Sequence, residues 1–362
     1  MNRRKLWFWL NNIEGIGNAK IRSILECYNG PEEVIIASEK ELTQVPLINI
    51  NDIKNIIDKD NYKRTSELYD RYTENGIKFV FPFEELYPKR LQELYDKPCI
   101  LYYRGNLPQE SLMNISIVGS RRCTEYGKSV ARELGRMFAL KGVNVISGLA
   151  LGIDSEAHKG AVMAGGRTFA VLAGSAYKCY PPTNYNLYMD LLKNGGVISE
   201  FSPDTATVSG MFPLRNRIIS GLSDAVIVVE AAKKSGSLIT VAHALEQNRQ
   251  VYAVPGRLCD KSSEGCNRLI YEGASIITSY ESLLEELGLG ILEEKNSEKE
   301  NLGLAREEKM LYSLLLDFTP RSLDTLISLT KESPRSVLTW LLSLEIKGYI
   351  KEISKNFYVR IR

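Results

Sequence analysis

The middle of this chain predicts an α/β fold built on a doubly wound parallel sheet, and three observations carry that expectation. Apolar runs recur through residues 115–278, helical stretches separate most of them, and the runs are continuous rather than alternating. They read ISIV (115–118), VNVIS (143–147), TFAVLA (168–173), GVIS (196–199), DAVIVVE (224–230), QVYAVP (250–255) and SIIT (275–278). A strand that is apolar on both sides is buried on both sides, as between two helical layers. In such sheets ligands bind beyond the carboxyl ends of the strands, so the loops there are where function is sought.

Ahead of this region, residues 1–75 predict a small helical domain. Ile13-Glu14-Gly15-Ile16-Gly17 precedes Ala19, Ile21, Ile24 and Leu25 at helical spacing. Gly-Ile-Gly between two helices is the hairpin of helix-hairpin-helix or SAM-like modules, where glycine amides approach a DNA phosphate. A plain tight turn in a packing domain needs the same glycines. A glycine-free echo follows at Val45-Pro46-Leu47, ahead of Ile53, Ile56 and Ile57. Residues 76–110 are expected to form a connector with some strand character (77–81 and 100–103), broken by prolines 82, 88, 98 and 108. The sheet domain is accordingly set at 76–287, with its core at 111–287.

Residues 288–306 carry few large apolar side chains and many charges, which predicts a flexible linker. Periodicity returns in 307–362. Apolar stripes at 310–316, 323–329 and 337–344 precede two strand-like stretches, 349–353 and 357–361, around Ser354-Lys355-Asn356. That is the outline of a winged helix. From Lys331 onward seven Lys/Arg outnumber three Glu, which leaves DNA and protein both open as its partner.

Composition excludes several classes. A net charge of +2 neither requires nor forbids nucleic acid, so local clustering must decide. The six cysteines form no C-x-x-C pair and there are only two histidines, which argues against a zinc site and for a reduced, cytoplasmic protein. No apolar run approaches the roughly 20 residues of a membrane span, and the run near the N-terminus is too short for a signal peptide.

The stretch ISIVGSRRCTEYG (115–127) is the most informative. A strand that turns on Gly119 into a helix expected over 126–140 leaves backbone N–H groups at a helix N-terminus. Ser120, Arg121 and Arg122 complete an anion site. Neither Gly-x-Gly-x-x-Gly nor Gly-Lys-Ser/Thr is present, so this is not a common nucleotide loop. Further strand ends carry SGLALGID (147–154), AGS (173–175) with YPPTN (180–184), FPLRNR (212–217), KKSGS (233–237) and PGR (255–257). Hydroxyls, small residues and arginines at several strand ends suit an extended polyanion better than one small substrate.

These segments, in this order and spacing across nearly all of 115–275, resemble the DprA (Smf) family of DNA-processing proteins. The helical N-terminal module and the winged helix fit that family's three-part layout. The resemblance implies a Rossmann-like domain that binds single-stranded DNA without catalysis and without a cofactor. It further implies protection of incoming strands during natural transformation, loading of the recombinase RecA, and a homodimer through the Rossmann-like domain. Carried over by position, the DNA-binding residues are Gly119, Ser120, Arg121, Lys178, Asn184, Arg215, Asn216, Arg217, Ser235, Gly236 and Ser237. The chain departs from the family at LAGSAYKCYPPTN, where relatives more often have a second glycine and an aspartate. Pro182 also stands where many relatives carry a cation, and Lys178 is expected to replace that charge from nearby.

Some assignments stay open at this level. Residues two apart on a helix point apart, so one of Arg215 and Arg217 faces DNA while the other pairs with a carboxylate such as Asp224 or Glu230; Arg217 is slightly favoured for DNA. Asp154 is expected to cap or complement its helix, His158 to sit in the core, and Glu200 and Glu230 to anchor loops. Tyr126, Tyr180 and Phe212 are candidate stacking faces for unpaired bases. The alternative is a nucleotide-binding or nucleoside-monophosphate-cleaving enzyme, whose Pro-Gly-Gly-x-Gly-Thr turn is not matched by Lys233-Lys234-Ser235-Gly236-Ser237-Leu238-Ile239-Thr240.

Overall fold

The computed structural model describes residues 2–290, 304–315 and 320–360. Two compact units result, Met1–Leu287 and Gly288–Arg362. In the first, the strands are β1 (Lys78–Val80), β2 (Leu101–Gly105), β3 (Asn114–Val118), β4 (Asn144–Ser147), β5 (Thr168–Val171), β6 (Gly196–Ser199), β7 (Ala225–Val228), β8 (Gln250–Ala253) and β9 (Ser275–Ile276). Their order is β1-β2-β6-β5-β4-β3-β7-β8-β9. From β6 to β9 every pairing is parallel, and β3 to β7 are buried at every position. The doubly wound Rossmann-like sheet is therefore present.

The segment expected as a connector adds to this sheet. β2 pairs antiparallel with β6 through Tyr102–Ser199 to Gly105–Gly196, and β1 pairs antiparallel with β2. The prolines around it end these strands without preventing them. The N-terminal helices have their own apolar cluster, including Trp9, Ile21, Ile24, Ile53 and Ile56. They also share a second one with the sheet edge, where Phe8, Tyr69 and Tyr72 meet Phe79, Phe81 and Tyr102. That aromatic seam is why residues 1–75 and the sheet form one compact unit, with no break at 75.

The order in which successive strands are laid down reverses between the parallel neighbours β3 and β7. From β3 the chain steps through β4 and β5 to β6 on one side, and from β7 through β8 to β9 on the other. The carboxyl ends of β3 and β7 thus flank a crevice, the position where such sheets hold ligands.

The second unit has helices Arg306–Leu314, Leu323–Thr330 and Pro334–Ile346 and a three-stranded sheet of β10 (Arg321–Ser322), β11 (Ile350–Ser354) and β12 (Phe357–Arg360), ordered β10-β12-β11. Leu311, Leu326, Val337, Leu341, Leu344 and Ile350 form its core. This is the winged helix. Most of the expected linker, 291–303, lies outside the described residues, as do Leu316 and Ile361 of the expected apolar stretches.

Candidate nucleic-acid interface

The loop after β3 is built tightly. A Cβ at Gly119 would run into Ile153 and the Glu230 carbonyl oxygen, so only glycine turns here. The Ser120 N–H donates to that carbonyl at 2.7 Å, and the Arg122 N–H donates to Ser120 Oγ at 3.1 Å. The Glu230 carboxylate accepts from the Thr124 N–H at 2.9 Å and from the Thr124 hydroxyl, while Thr124 caps the helix Glu125–Leu140. These bonds correct one expectation. The amides of Ser120 and Arg122 are engaged within the protein, so these two are not open donors.

Arg121 projects from this loop. Its guanidinium stands 4.7 Å from the Phe212 ring centre, and the Phe212 ring lies 5.8 Å from that of Tyr180 at 47°. A cation and two aromatic faces from three separate strand ends therefore share one rim.

Below the rim, the helix Met211–Gly221 supplies Arg215, which is 4% exposed. Its Nη1 donates to the carbonyl oxygens of Gly148 (2.9 Å) and Val171, and its Nε donates to Asn216 Oδ1 at 3.2 Å. A Cβ at Gly148 would overlap this guanidinium, which explains that glycine. Burial lowers the Arg215 pKa to about 10, with Asp154 opposing and Arg121 adding to the fall. The group stays charged at neutral pH. Asp154 is itself engaged, accepting from the Gly148 N–H at 3.0 Å, and burial raises its pKa against the pull of Arg215.

Asn216 ties this floor to the loop after β7 by donating to the Gly236 carbonyl oxygen at 3.3 Å. There the hydroxyls of Ser235 and Ser237 lie 2.8 Å apart at the start of the helix Ser237–Glu246. The cleft enclosed by these groups holds about 700 Å³, and Asp154 is the one carboxylate among the described residues that line it.

The structure thus brings Gly119, Ser120, Arg121, Arg215, Asn216, Ser235, Gly236 and Ser237 into one cleft, with Tyr180 and Phe212. Lys178, Asn184 and Arg217 stand outside it. Asn184 is a buried structural residue that donates to the Leu149 carbonyl oxygen at 2.9 Å. Lys178 is exposed on the loop leading to Tyr180. Arg217, slightly favoured above for DNA, points the other way: Nη2 bonds Glu200 at 2.7 Å and Nε bonds Asp96 at 2.9 Å. The carboxylates expected for such pairing do other work, since Asp224 holds Arg90 and Glu230 anchors Thr124. Thr207, Val208, Ser209 and Thr240 also line the cleft. The hydroxyl-rich run TATVSG (205–210) ahead of FPLRNR was the signal for the first three.

The Gly-Ile-Gly hairpin buries Ile16 and leaves Gly15 and Gly17 exposed. The helix that follows, Asn18–Cys27, begins against Glu200, which accepts a hydrogen bond from Asn18 Nδ2. A carboxylate thus occupies the ground beside this N-terminus, where a phosphate would be sought. On the winged helix, Leu338, Leu342 and Ile346 are exposed along Pro334–Ile346 at spacings of four, so this outward face is apolar. Among the described residues no helix is long and apolar enough to cross a membrane, and no cluster of three or more potential metal ligands occurs.

A doubly wound sheet with a cationic, carboxylate-poor crevice at its switch point defines a Rossmann-like protein. Residues 78–288 match the family described as DNA recombination-mediator protein A, and 296–354 match the DprA winged helix domain; the chain belongs to the DprA/Smf family of DNA-processing proteins. It is 42% identical over 227 residues to the DNA processing protein DprA of Bacillus subtilis (strain 168), covering 62% of this chain and 76% of that one. Protein Smf of Escherichia coli (strain K12) is 38% identical over 287 residues, covering 77% and 76%. The X-ray structure of DprA from Streptococcus pneumoniae superposes with a TM-score of 0.61 at 33% identity, over 78% of this chain and 96% of that one. DNA processing protein A from Helicobacter pylori, described for its unique single-stranded DNA binding mode, gives 0.52 at 31% over 58% and 95%.

Proposed function

We propose that this chain binds single-stranded DNA in the β3–β7 cleft, largely without regard to sequence, protects the strand, and helps load RecA in natural transformation and recombination. The observation that carries this reading is the joining of Arg121 and Arg215 with the Tyr180 and Phe212 rings in one cleft. Guanidinium groups suit phosphates, and rings suit the faces of unpaired bases, each stack contributing about 1–3 kcal/mol. None of these groups reads a base edge, so sequence preference is small. The Helicobacter relative's single-strand binding supports the same ligand here. Family membership supports RecA as recipient and a homodimer through the Rossmann-like domain.

The reading is one of binding without catalysis. The cleft's carboxylate is committed to a backbone amide and faces Arg215, which gives it a structural task in this reading. Fluorescence anisotropy of a labelled single-stranded oligonucleotide tests the proposal, repeated across salt concentrations with duplex competitor. Binding that survives duplex competition and weakens with salt is expected, with a log–log slope of about −0.7 per phosphate engaged. No binding at low salt would overturn it and turn attention to nucleotide hydrolysis.

A further inference from the structure

A second cavity, about 530 Å³, opens at the far edge of the sheet and is lined by Asn75, Gly76, Lys78, Arg104, Gly105 and Tyr177. Two of these are cations and none is a carboxylate. The polar partners of both cations are neutral. Lys78 Nζ donates to the Gly105 carbonyl oxygen at 3.3 Å and lies 5.8 Å from the Tyr103 ring centre. Arg104 Nη1 donates to the Tyr188 hydroxyl at 3.1 Å, its guanidinium 5.6 Å from that ring centre. Among the described residues neither positive charge has a carboxylate partner, in a concave site beside aromatic rings.

The cavity is tied to the main cleft by a short stretch of chain. The Tyr177 hydroxyl accepts from the Lys78 N–H at 2.7 Å and donates to the Tyr103 carbonyl oxygen at 2.9 Å, pinning this loop to β1. Three residues later Tyr180 lines the cleft, and Lys178 is exposed between the two. The carbonyls ending the helix Lys59–Glu74 are taken up by the N–H groups of Asn75, Gly76 and Ile77 and do not line the cavity with open acceptors.

We propose that this cavity is a second phosphate subsite for the same strand, holding backbone phosphates of DNA that leaves the cleft past Tyr180 and Lys178. The proposal rests on the single-strand reading above. β1 lies five strands from β3, about 24 Å at a spacing of ~4.8 Å, so only a strand longer than the cleft itself reaches it.

The test compares oligothymidylates of about 5 and about 20 nucleotides, spanning the usual range of single-strand site sizes, on wild type and on a Lys78→Ala/Arg104→Gln variant. The variant's affinity for the longer strand should fall about three- to tenfold, and its salt slope should become shallower by about 0.7–1.4, as expected for one or two lost phosphates. Its affinity for the shorter strand should stay at the wild-type value. An unchanged affinity for the longer strand overturns the subsite, as does an equal loss on both lengths. Wild type that binds neither length overturns the single-strand reading, and the subsite with it. If the double variant does not fold, Lys178→Glu, at an exposed position, should show the same length-dependent loss, and its absence overturns the proposal.

Discussion

Arg215 and Arg217 sit two residues apart on one helix, yet they serve two regions with opposite electrostatics. Arg215 is the floor of the β3–β7 cleft, where its direct partners are two carbonyl oxygens and an amide side chain. Arg217 faces a cavity of about 570 Å³ beside the Gly-Ile-Gly hairpin, where Glu200 and Asp96 neutralise it. Burial works against the Arg217 charge, but Glu200 and Asp96 outweigh it and hold its pKa above the ordinary value. Burial wins at Arg215 and lowers it. The lesson is that the partners of an arginine decide its function: one charge is left for a ligand, the other joins the N-terminal helices to the sheet.

The largest effect that would break this comparison is on stability. Arg217→Ala leaves the half-buried Glu200 with Asn18 as its remaining side-chain partner among the described residues, and removing one member of a buried pair costs up to about 3–5 kcal/mol. Urea denaturation should show that loss, and Glu200→Gln in the same background should recover most of it. Wild-type stability combined with weak single-strand binding would instead move Arg217 into the interface.

Next comes the rim. Arg121 is exposed and contributes little to the fold beyond its contact with Phe212. Charge-assisted hydrogen bonds to phosphate are worth about 1.5–3 kcal/mol, so Arg121→Ala should weaken single-strand binding roughly tenfold to a hundredfold. The melting temperature should stay close to that of wild type. Equal affinity at equal melting temperature would remove Arg121 from the cleft.

The contrast also shows what could be read from residues in order. Continuous apolar strands foretold the parallel core, because burial on both faces is written into composition. The Gly119, Arg121 and Ser235–Ser237 positions were legible because strand ends at a switch point converge whatever the loops contain. Two things were not. β1 and β2 are short and bracketed by prolines, and the pairing of β2 with β6 depends on contacts nearly a hundred residues away. The fates of Arg215 and Arg217 were open because helical spacing says they diverge, while the identity of the carboxylate waiting at either side is set by tertiary packing. Glu200 and Asp96 come from the loop after β6 and the segment before β2, so no local pattern joins them to Arg217.

A pH-dependent effect sharpens the cleft side of the comparison. His158 is fully buried, and its Nδ1 lies 2.6 Å from the Thr168 hydroxyl. That hydroxyl gives its one proton to the Val145 carbonyl oxygen at 2.9 Å, so Nδ1 must be the protonated nitrogen. Nε2 is left with no partner among the described residues. Burial, and then the nearby charge of Arg215, lower the His158 pKa from 6.5 to about 3. An unfolded chain therefore takes up a proton near pH 6.5 that the folded one refuses until about pH 3. Stability from this group is present above pH 6.5 and falls as pH drops, by about 1.4 kcal/mol per unit between those limits. Urea midpoints at successive pH values should show that slope in wild type, and His158→Gln should lose it. Parallel pH profiles for the two proteins would mean that burial does not hold His158 neutral in the folded chain.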